Sequence, residues 1–200
     1  MTLSAYIYRE HQNEAPGAPL LVLLHGTGGD ENQFFELGRQ LLPHARLVAP
    51  RGDVSEGGAL RYFRRTGEGV YDMKDLTIRT DQMAGFVNAL EHKGPIYGLG
   101  YSNGANILAS VMLSHPGIFD GGILMHPLIP WTPADAPGLA GKRILITAGR
   151  RDPIAPAGHT ERLADYLARQ NADVQTLWHE GGHEIRQEEL VGARDFLATV

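Results

Sequence analysis

The stretch Gly100-Tyr101-Ser102-Asn103-Gly104 decides how the rest of the chain is read. Before it, Pro95 to Gly100 reads as a short buried strand, with Ile96, Tyr97 and Leu99 apolar and Gly98 and Gly100 small. After it, Asn103 to His115 reads as a helix that places Ile107, Leu108, Val111 and Met112 on one face. A strand, a sharp turn with serine at its apex and then a helix is the setting that gives a G-x-S-x-G match chemical meaning. The turn lifts the hydroxyl above the sheet, and the two glycines let strand and helix pass closely. The N–H of Asn103 falls in the first helical turn, where unpaired donors and the positive end of the dipole favour an anion. With 25 glycines in 200 residues, a chance match around some serine is about a one-in-ten event. The setting carries the assignment, and the chain must still supply a base, an orienting acid and a second anion donor.

Reading outward, Leu20 to Leu24 is a continuous apolar run, the pattern of a central strand buried on both faces. It runs into His25-Gly26-Thr27-Gly28-Gly29-Asp30. No G-K-[ST] follows, which argues against a phosphate loop. A loop whose Thr27 N–H faces that of Asn103 is the reading that fits beside Ser102. Further strands are expected at Tyr6 to Arg9 (an edge), Arg46 to Ala49, Gly122 to Met125, Arg143 to Thr147 and Val174 to Trp178. Helices are expected at Asn32 to Leu42, Leu76 to His92, Thr160 to Gln170 and Glu184 to Val200, and Glu14 to Pro19 reads as a Pro/Gly turn. Strands and helices alternate without repeat or linker. One α/β domain over residues 1–200 is expected, a doubly wound, mostly parallel sheet with helices on both faces. The Pro-rich connection Ile129 to Gly141 is too short for an independent cap.

In such sheets sites gather at the carboxyl ends of the strands. His25, Ser102, Asp152 and His183 all fall there. A serine hydroxyl becomes a nucleophile only when a base takes its proton, and that base needs an orienting carboxylate. The order Ser102, Asp152, His183 is the one expected after such an elbow. A competing pattern overlaps it, because His179-Glu180-Gly181-Gly182-His183 matches H-E-x-x-H. Zinc binding by that pattern needs both histidines on one helix face, and two central glycines would cost a helix roughly 2 kcal/mol. The glycines fit better as a loop returning His183 over Ser102.

The longest irregular stretch, Pro50 to Lys74, holds Arg61-Tyr62-Phe63-Arg64-Arg65. Two readings stand. Tyr62 and Phe63, with Leu128, line a short substrate pocket, or the aromatics anchor the loop while the arginines are solvated or pair with Asp72 and Asp75.

Composition sets outer bounds. A 42% hydrophobic and 20% charged chain of this length can bury a sizeable core. A net charge of −5 leaves no basic footprint for nucleic acid. With no cysteine, thiol chemistry, disulfides and cysteine metal sites drop out. Met1 to Asn13 shows no signal-like apolar core, and no run is long enough to span a membrane. The expectation is a cytoplasmic protein without membrane or nucleic-acid partners; a homodimer is compatible with the sequence.

The motifs His25-Gly26-Thr27-Gly28-Gly29, Gly100 to Asn106, Ala148-Gly149 with Asp152-Pro153, and Gly182-His183 together resemble the phospholipase/carboxylesterase family of α/β-hydrolases, which includes the acyl-protein thioesterases. Pro50-Arg51-Gly52, Tyr62-Phe63-Arg64-Arg65 and Tyr71-Asp72 resemble a bacterial subgroup of small carboxylesterases, some associated with quinone resistance. The resemblance covers nearly the whole chain. It implies an α/β-hydrolase fold with minimal or no cap, and serine esterase activity on a small-molecule ester with no cofactor or metal. It places the triad on Ser102, Asp152 and His183, and the oxyanion donors on the backbones of Thr27 and Asn103. Acyl-protein thioesterases usually carry Gln after the nucleophile, and Asn103 departs from that. Thioester, lactone or C–C bond hydrolysis could run on the same residues. A non-catalytic binding module on the same fold would be expected to lack one of them.

Overall fold

A computed structural model describes residues 6–13 and 15–200. Seven strands form the main sheet: β1 (Tyr8–His11), β2 (Leu20–Leu24), β3 (Arg46–Pro50), β8 (Ile96–Tyr101), β9 (Gly121–Met125), β10 (Arg143–Gly149) and β11 (Asp173–His179). Four short strands, β4 (Val54–Glu56), β5 (Ala59–Arg61), β6 (Arg65–Gly67) and β7 (Val70–Tyr71), make two separate hairpins. The helices are α1 (Phe35–Leu41), α2 (Met73–Asn88), α3 (Asn103–Ser114), α4 (Ala157–Arg169) and α5 (Gln187–Leu197).

The sheet order is β1-β3-β2-β8-β9-β10-β11. Only β1 runs antiparallel, on the edge against β3. Every other pairing is parallel. The alternation of side chains along a strand splits the core in two. Leu20, Val22 and Leu24 pack on one face with Leu76 and Met83 of α2, Ile107 of α3 and Leu163 of α4. Leu21 and Leu23 pack on the other with Phe35 of α1 and Ala193 and Phe196 of α5. All five residues of β2 are buried, each worth roughly 1.5–3 kcal/mol of burial. That is why an uninterrupted apolar run belongs at the centre of a sheet covered on both faces.

Chain order reverses between β2 and β8, so the crevice beyond their carboxyl ends is the topological switch point, the usual place for a ligand in open α/β sheets. The loop after β2 and the turn after β8 both open there.

Several boundaries differ from the sequence reading. The edge strand is Tyr8–His11, two residues later than expected. The Glu14 to Pro19 turn is present as Ala18 N–H donating to the carbonyl of Ala15 at 3.0 Å, with Glu14 itself outside the described residues. The second helix begins at Met73 because Asp72 caps it, accepting from Asp75 N–H at 3.0 Å. The stretch 50–74 is not irregular; its two hairpins are invisible to an alternation rule because each strand has three residues or fewer. Between β9 and β10 the only helical turn is the short 3₁₀ segment Pro137–Leu139. No helix among the described residues is long and apolar enough to cross a membrane.

Candidate active site

Ser102 has φ 52° and ψ −114°, between β8 and α3. This sparsely populated conformation costs of order 1–3 kcal/mol, so the surroundings must impose it. They do so from both sides. Ser102 N–H donates to the carbonyl of Met125 at 2.9 Å, and Asn106 N–H donates to that of Ser102 at 2.9 Å. A Cβ on Gly100 would collide with the carbonyl of Gly104, and one on Gly104 with the carbonyls of Leu24 and His25. Those two glycines are what let β8, α3 and β2 meet.

The hydroxyl of Ser102 lies 2.8 Å from His183 Nε2, and His183 Nδ1 lies 2.7 Å from Asp152 Oδ2. His183 is placed by a loop that Tyr101 ties back to β8, its phenol donating to the His183 carbonyl at 2.7 Å. Arg151 N–H donates to the Gly181 carbonyl at 2.9 Å on the other side. Asp152 is buried, and its Oδ1 accepts from Ile154 N–H at 2.8 Å and Ala155 N–H at 2.9 Å. Burial opposes its ionisation, but hydrogen bonds from His126, His183 and the Ala155 N–H outweigh that and hold its carboxyl below the usual range.

Thr27 sits in the loop after β2, and Gly28 N–H donates to the Leu60 carbonyl at 2.9 Å. Arg61 Nη1 donates to Thr27 Oγ1 at 2.8 Å. Asn103 opens α3, so its N–H has no intrahelical acceptor. Its side-chain Oδ1 accepts from Tyr62 N–H at 2.7 Å. His25 is not available as a base. Its Nε2 accepts from Gly52 N–H at 2.8 Å and its Nδ1 meets the Gly26 carbonyl at 2.7 Å. Burial, the largest influence on it, lowers its pKa.

A cavity of about 30 Å³ opens at Ser102, bounded by Thr27, Arg61, Tyr71, Leu128, Ile154 and His183. Leu128 lines it as expected. Tyr62 and Phe63 do not: both are wholly buried behind the wall. The Tyr62 phenol donates to the Pro50 carbonyl at 2.8 Å and accepts from His25 N–H at 3.1 Å. Phe63 packs edge-on against Tyr71 at 4.8 Å, and Tyr71 is the aromatic that reaches the cavity. These rings lie between the two hairpins and turn inward into the core beside Val22, Leu24 and Leu76. The paired-arginine reading holds for Arg64, which lies 3.4 Å from both Asp72 and Asp75. Arg65 instead pairs with Glu56 at 2.9 Å and Glu68 at 2.8 Å, and Arg61 is buried.

Two residues with no part in the sequence reading reach the back of this site. His126 Nδ1 is 2.9 Å from Asp152 Oδ2, the same oxygen that His183 uses, and Glu189 lies behind His126. His126 follows β9 directly, so its place at a strand end was a usable signal. Glu189 gives none, being an acid in the first turn of an ordinary amphipathic helix.

Residue types that bind metals come together in His126, His179 and Glu189, and in His126, Asp152 and His183. In both sets the donor atoms face one another as acid–base partners. The H-E-x-x-H histidines diverge. His179 ends β11 and faces Glu189 at 3.2 Å, while His183 faces Ser102.

This architecture is that of the α/β-hydrolases, with the elbow serine at the switch point. The chain belongs to the dienelactone hydrolase family, whose model matches residues 67–188. It is 40% identical over 182 residues, 88% of this chain and 91% of the other, to a Bacillus subtilis (strain 168) protein named "Putative hydrolase MhqD". Among solved structures it is similar to a carboxylesterase of Bacillus cereus, with 35% identity, TM-score 0.90 and coverage of 97% of this chain and 94% of that one. It is also similar to Atu2452 of Agrobacterium tumefaciens strain C58, a protein of unknown function, with 54% identity, TM-score 0.92 and coverage of 100% and 98%. The chain is a hydrolase of the dienelactone hydrolase/carboxylesterase type, and ester hydrolysis is its reaction class.

Proposed function

We propose that the chain is a serine esterase acting on small or short-chain carboxylic esters through an acyl-serine, with Ser102, Asp152 and His183 as its triad. The unbroken path from Ser102 Oγ to His183 Nε2 at 2.8 Å and from His183 Nδ1 to Asp152 Oδ2 at 2.7 Å carries this reading. His183 takes the proton of Ser102 as Oγ attacks the ester carbonyl. Asp152 fixes the imidazole tautomer and stabilises the imidazolium. The N–H groups of Thr27 and Asn103 receive the oxyanion, each worth about 3 kcal/mol in the transition state. His183 then gives its proton to the leaving alkoxide. Water enters, loses a proton to the same imidazole and attacks the acyl carbon; the imidazolium returns that proton to Ser102 Oγ as the acyl–Oγ bond breaks and the acid leaves.

Size supports the short-chain limit. A cavity of about 30 Å³ holds about two waters, or the methyl end of a short acyl group. Its far wall is stiff. Asn106 Nδ2 donates to the Tyr71 hydroxyl at 2.8 Å, that hydroxyl donates to the Leu128 carbonyl at 2.8 Å, and Leu128 N–H donates to Asn106 Oδ1 at 2.7 Å. Each further methylene adds about 0.8 kcal/mol only where a wall can contact it.

The test is kcat/KM on p-nitrophenyl acetate, butyrate, octanoate and palmitate, alongside labelling of Ser102 by a fluorophosphonate. A maximum at acetate or butyrate with labelling at Ser102 is expected. A steady rise to palmitate would overturn the short-chain limit, and an unlabelled Ser102 the triad. The family's description favours one second reading, ring-opening of a lactone on the same triad, which a small lactone added to that series would reveal.

A further inference from the structure

His126 has φ 52°. The described residues include three other non-glycine positions with positive φ: Ser102 at the elbow, and Glu91 and Asn171 just past helix ends, where that conformation is common. His126 is wholly buried at the end of β9 and has no such excuse, so its surroundings hold it there. What they hold is a ring between two carboxylates. Nδ1 is 2.9 Å from Asp152 Oδ2 and Nε2 is 3.0 Å from Glu189 Oε1, the latter contact too bent for a linear hydrogen bond.

A neutral imidazole has one N–H and one lone pair, and a lone pair aimed at a buried carboxylate is repelled. Two carboxylates call for two protons. No other partner of Glu189 among the described residues supplies the positive charge. Its other partners are the Thr147 hydroxyl at 2.6 Å, Arg186 N–H at 2.6 Å and His179 Nε2 at 3.2 Å. His179 Nδ1 accepts from Gly181 N–H at 3.0 Å, which leaves that ring a single proton on Nε2 and no charge. The other titratable rings facing His126 are His183 at 5.1 Å, His179 at 5.3 Å and Tyr101 at 5.8 Å.

We propose that His126 is held as an imidazolium between Asp152 and Glu189, and that this cation, acting as a positioning residue through Asp152, sets the pH range in which His183 can accept the Ser102 proton. This rests on the triad reading above. Burial works against the cation, but the hydrogen bond to Asp152 and the close Glu189 carboxylate outweigh it and raise the pKa of His126 to about 9. Because His126 and His183 share Asp152 Oδ2, the cation draws on the charge that would otherwise favour a protonated His183. Activity on the acidic limb should therefore depend on the charge of His126. Glu189 balances the cation from the far side, so the pair is electrically neutral.

Three measurements test this. On p-nitrophenyl acetate, His126→Gln should move the acidic limb of the kcat/KM profile up by about one pH unit, an approximately tenfold loss on the limb, with a smaller change on the alkaline plateau. His126→Gln/Glu189→Gln removes both charges and should return the limb to near its wild-type position, a rescue that a purely packing role would not give. In the wild-type protein, nitrogen NMR of the His126 ring, assigned through its bonds, should find both nitrogens protonated at pH 8. A limb that stays put, a loss equal at every pH, or a neutral ring at pH 8 would each overturn the proposal. Should the single variant not fold, the wild-type ring spectrum decides. Fluorophosphonate labelling of Ser102 separates the two ideas: labelling with an unmoved limb removes only the role of His126, and no labelling removes the triad.

Discussion

Ser102 sits between two sides built from different physics. On the side of the β9, β10 and β11 ends, Asp152, His183, His126, Glu189 and His179 form a chain of titratable groups at 2.7 to 3.2 Å. On the side of the β4–β5 hairpin, Thr27, its neighbour Gly28 and Asn103 are held by groups that do not titrate near neutrality. These are the Leu60 carbonyl, the Arg61 guanidinium and the Tyr62 N–H. In the proposed mechanism the first side moves a proton and needs basicities poised against each other. In that mechanism the second meets a charge that appears only in the transition state, which calls for fixed dipoles and no proton exchange. Arg61 and Tyr62, adjacent in sequence, tie down both residues that bear the proposed oxyanion donors.

The heaviest blow to the proton-moving side is to remove its ends. Ser102→Ala should lower kcat by roughly 10⁴ to 10⁶-fold, and His183→Ala by about as much. The double variant should be little worse than either, because the residues act as one unit. If the two losses multiply, Ser102 and His183 do not form one unit, and the two-sided picture loses its first half.

The same side should make stability depend on pH, with a sign for each group. Asp152 and Glu189 are depressed; burial raises each, but hydrogen bonds outweigh it. Their contribution is full above their unfolded values of about 4 and is lost as pH falls. His126 is raised to about 9. Its contribution is full below about pH 6.5 and is lost as pH rises through about 9, on the order of 3 kcal/mol. Stability to urea should therefore be greatest between about pH 5 and 6.5 and decline on the alkaline side. In His126→Gln that alkaline decline should flatten; if it persists unchanged, other groups cause it.

The two sides also differed in how far the sequence disclosed them. The order of strands, the elbow and the positions of Asp152 and His183 were readable because each rests on a local rule: an apolar run, a glycine spacing, a strand end. The hairpin side rests on contacts 34 and 41 residues apart, Arg61 to Thr27 and Tyr62 to Asn103. No periodicity reports those. For the aromatics at 62 and 63 a pocket wall and a loop anchor both stood open, because exposed and buried rings are indistinguishable in a segment without clear alternation. His126 and Glu189 were missed for a related reason. A buried charge pair is written in sequence as one histidine and one glutamate among many, and only the fold brings them together.

The smallest expected effect belongs to the dipole side and completes the contrast. Arg61 holds Thr27 Oγ1 at 2.8 Å while Leu60 holds Gly28. Arg61→Met keeps much of the buried stem and deletes the donor. Thr27→Val keeps the shape and deletes the acceptor. Each should loosen the Thr27 N–H without removing it, so kcat should fall about 10- to 30-fold, less than the 10² to 10³ typical of a deleted oxyanion donor. KM should change little, since the interaction strengthens only as charge develops. Thr27→Ser retains the oxygen and should stay near wild type. Arg61→Met combined with Thr27→Val should lose no more than either alone, because both break one contact. The loss should be the same factor at every pH from 6 to 9, unlike that of His126→Gln. A pH-dependent loss in Arg61→Met would mean that its charge acts on His183 directly, and the separation of the two sides would fail.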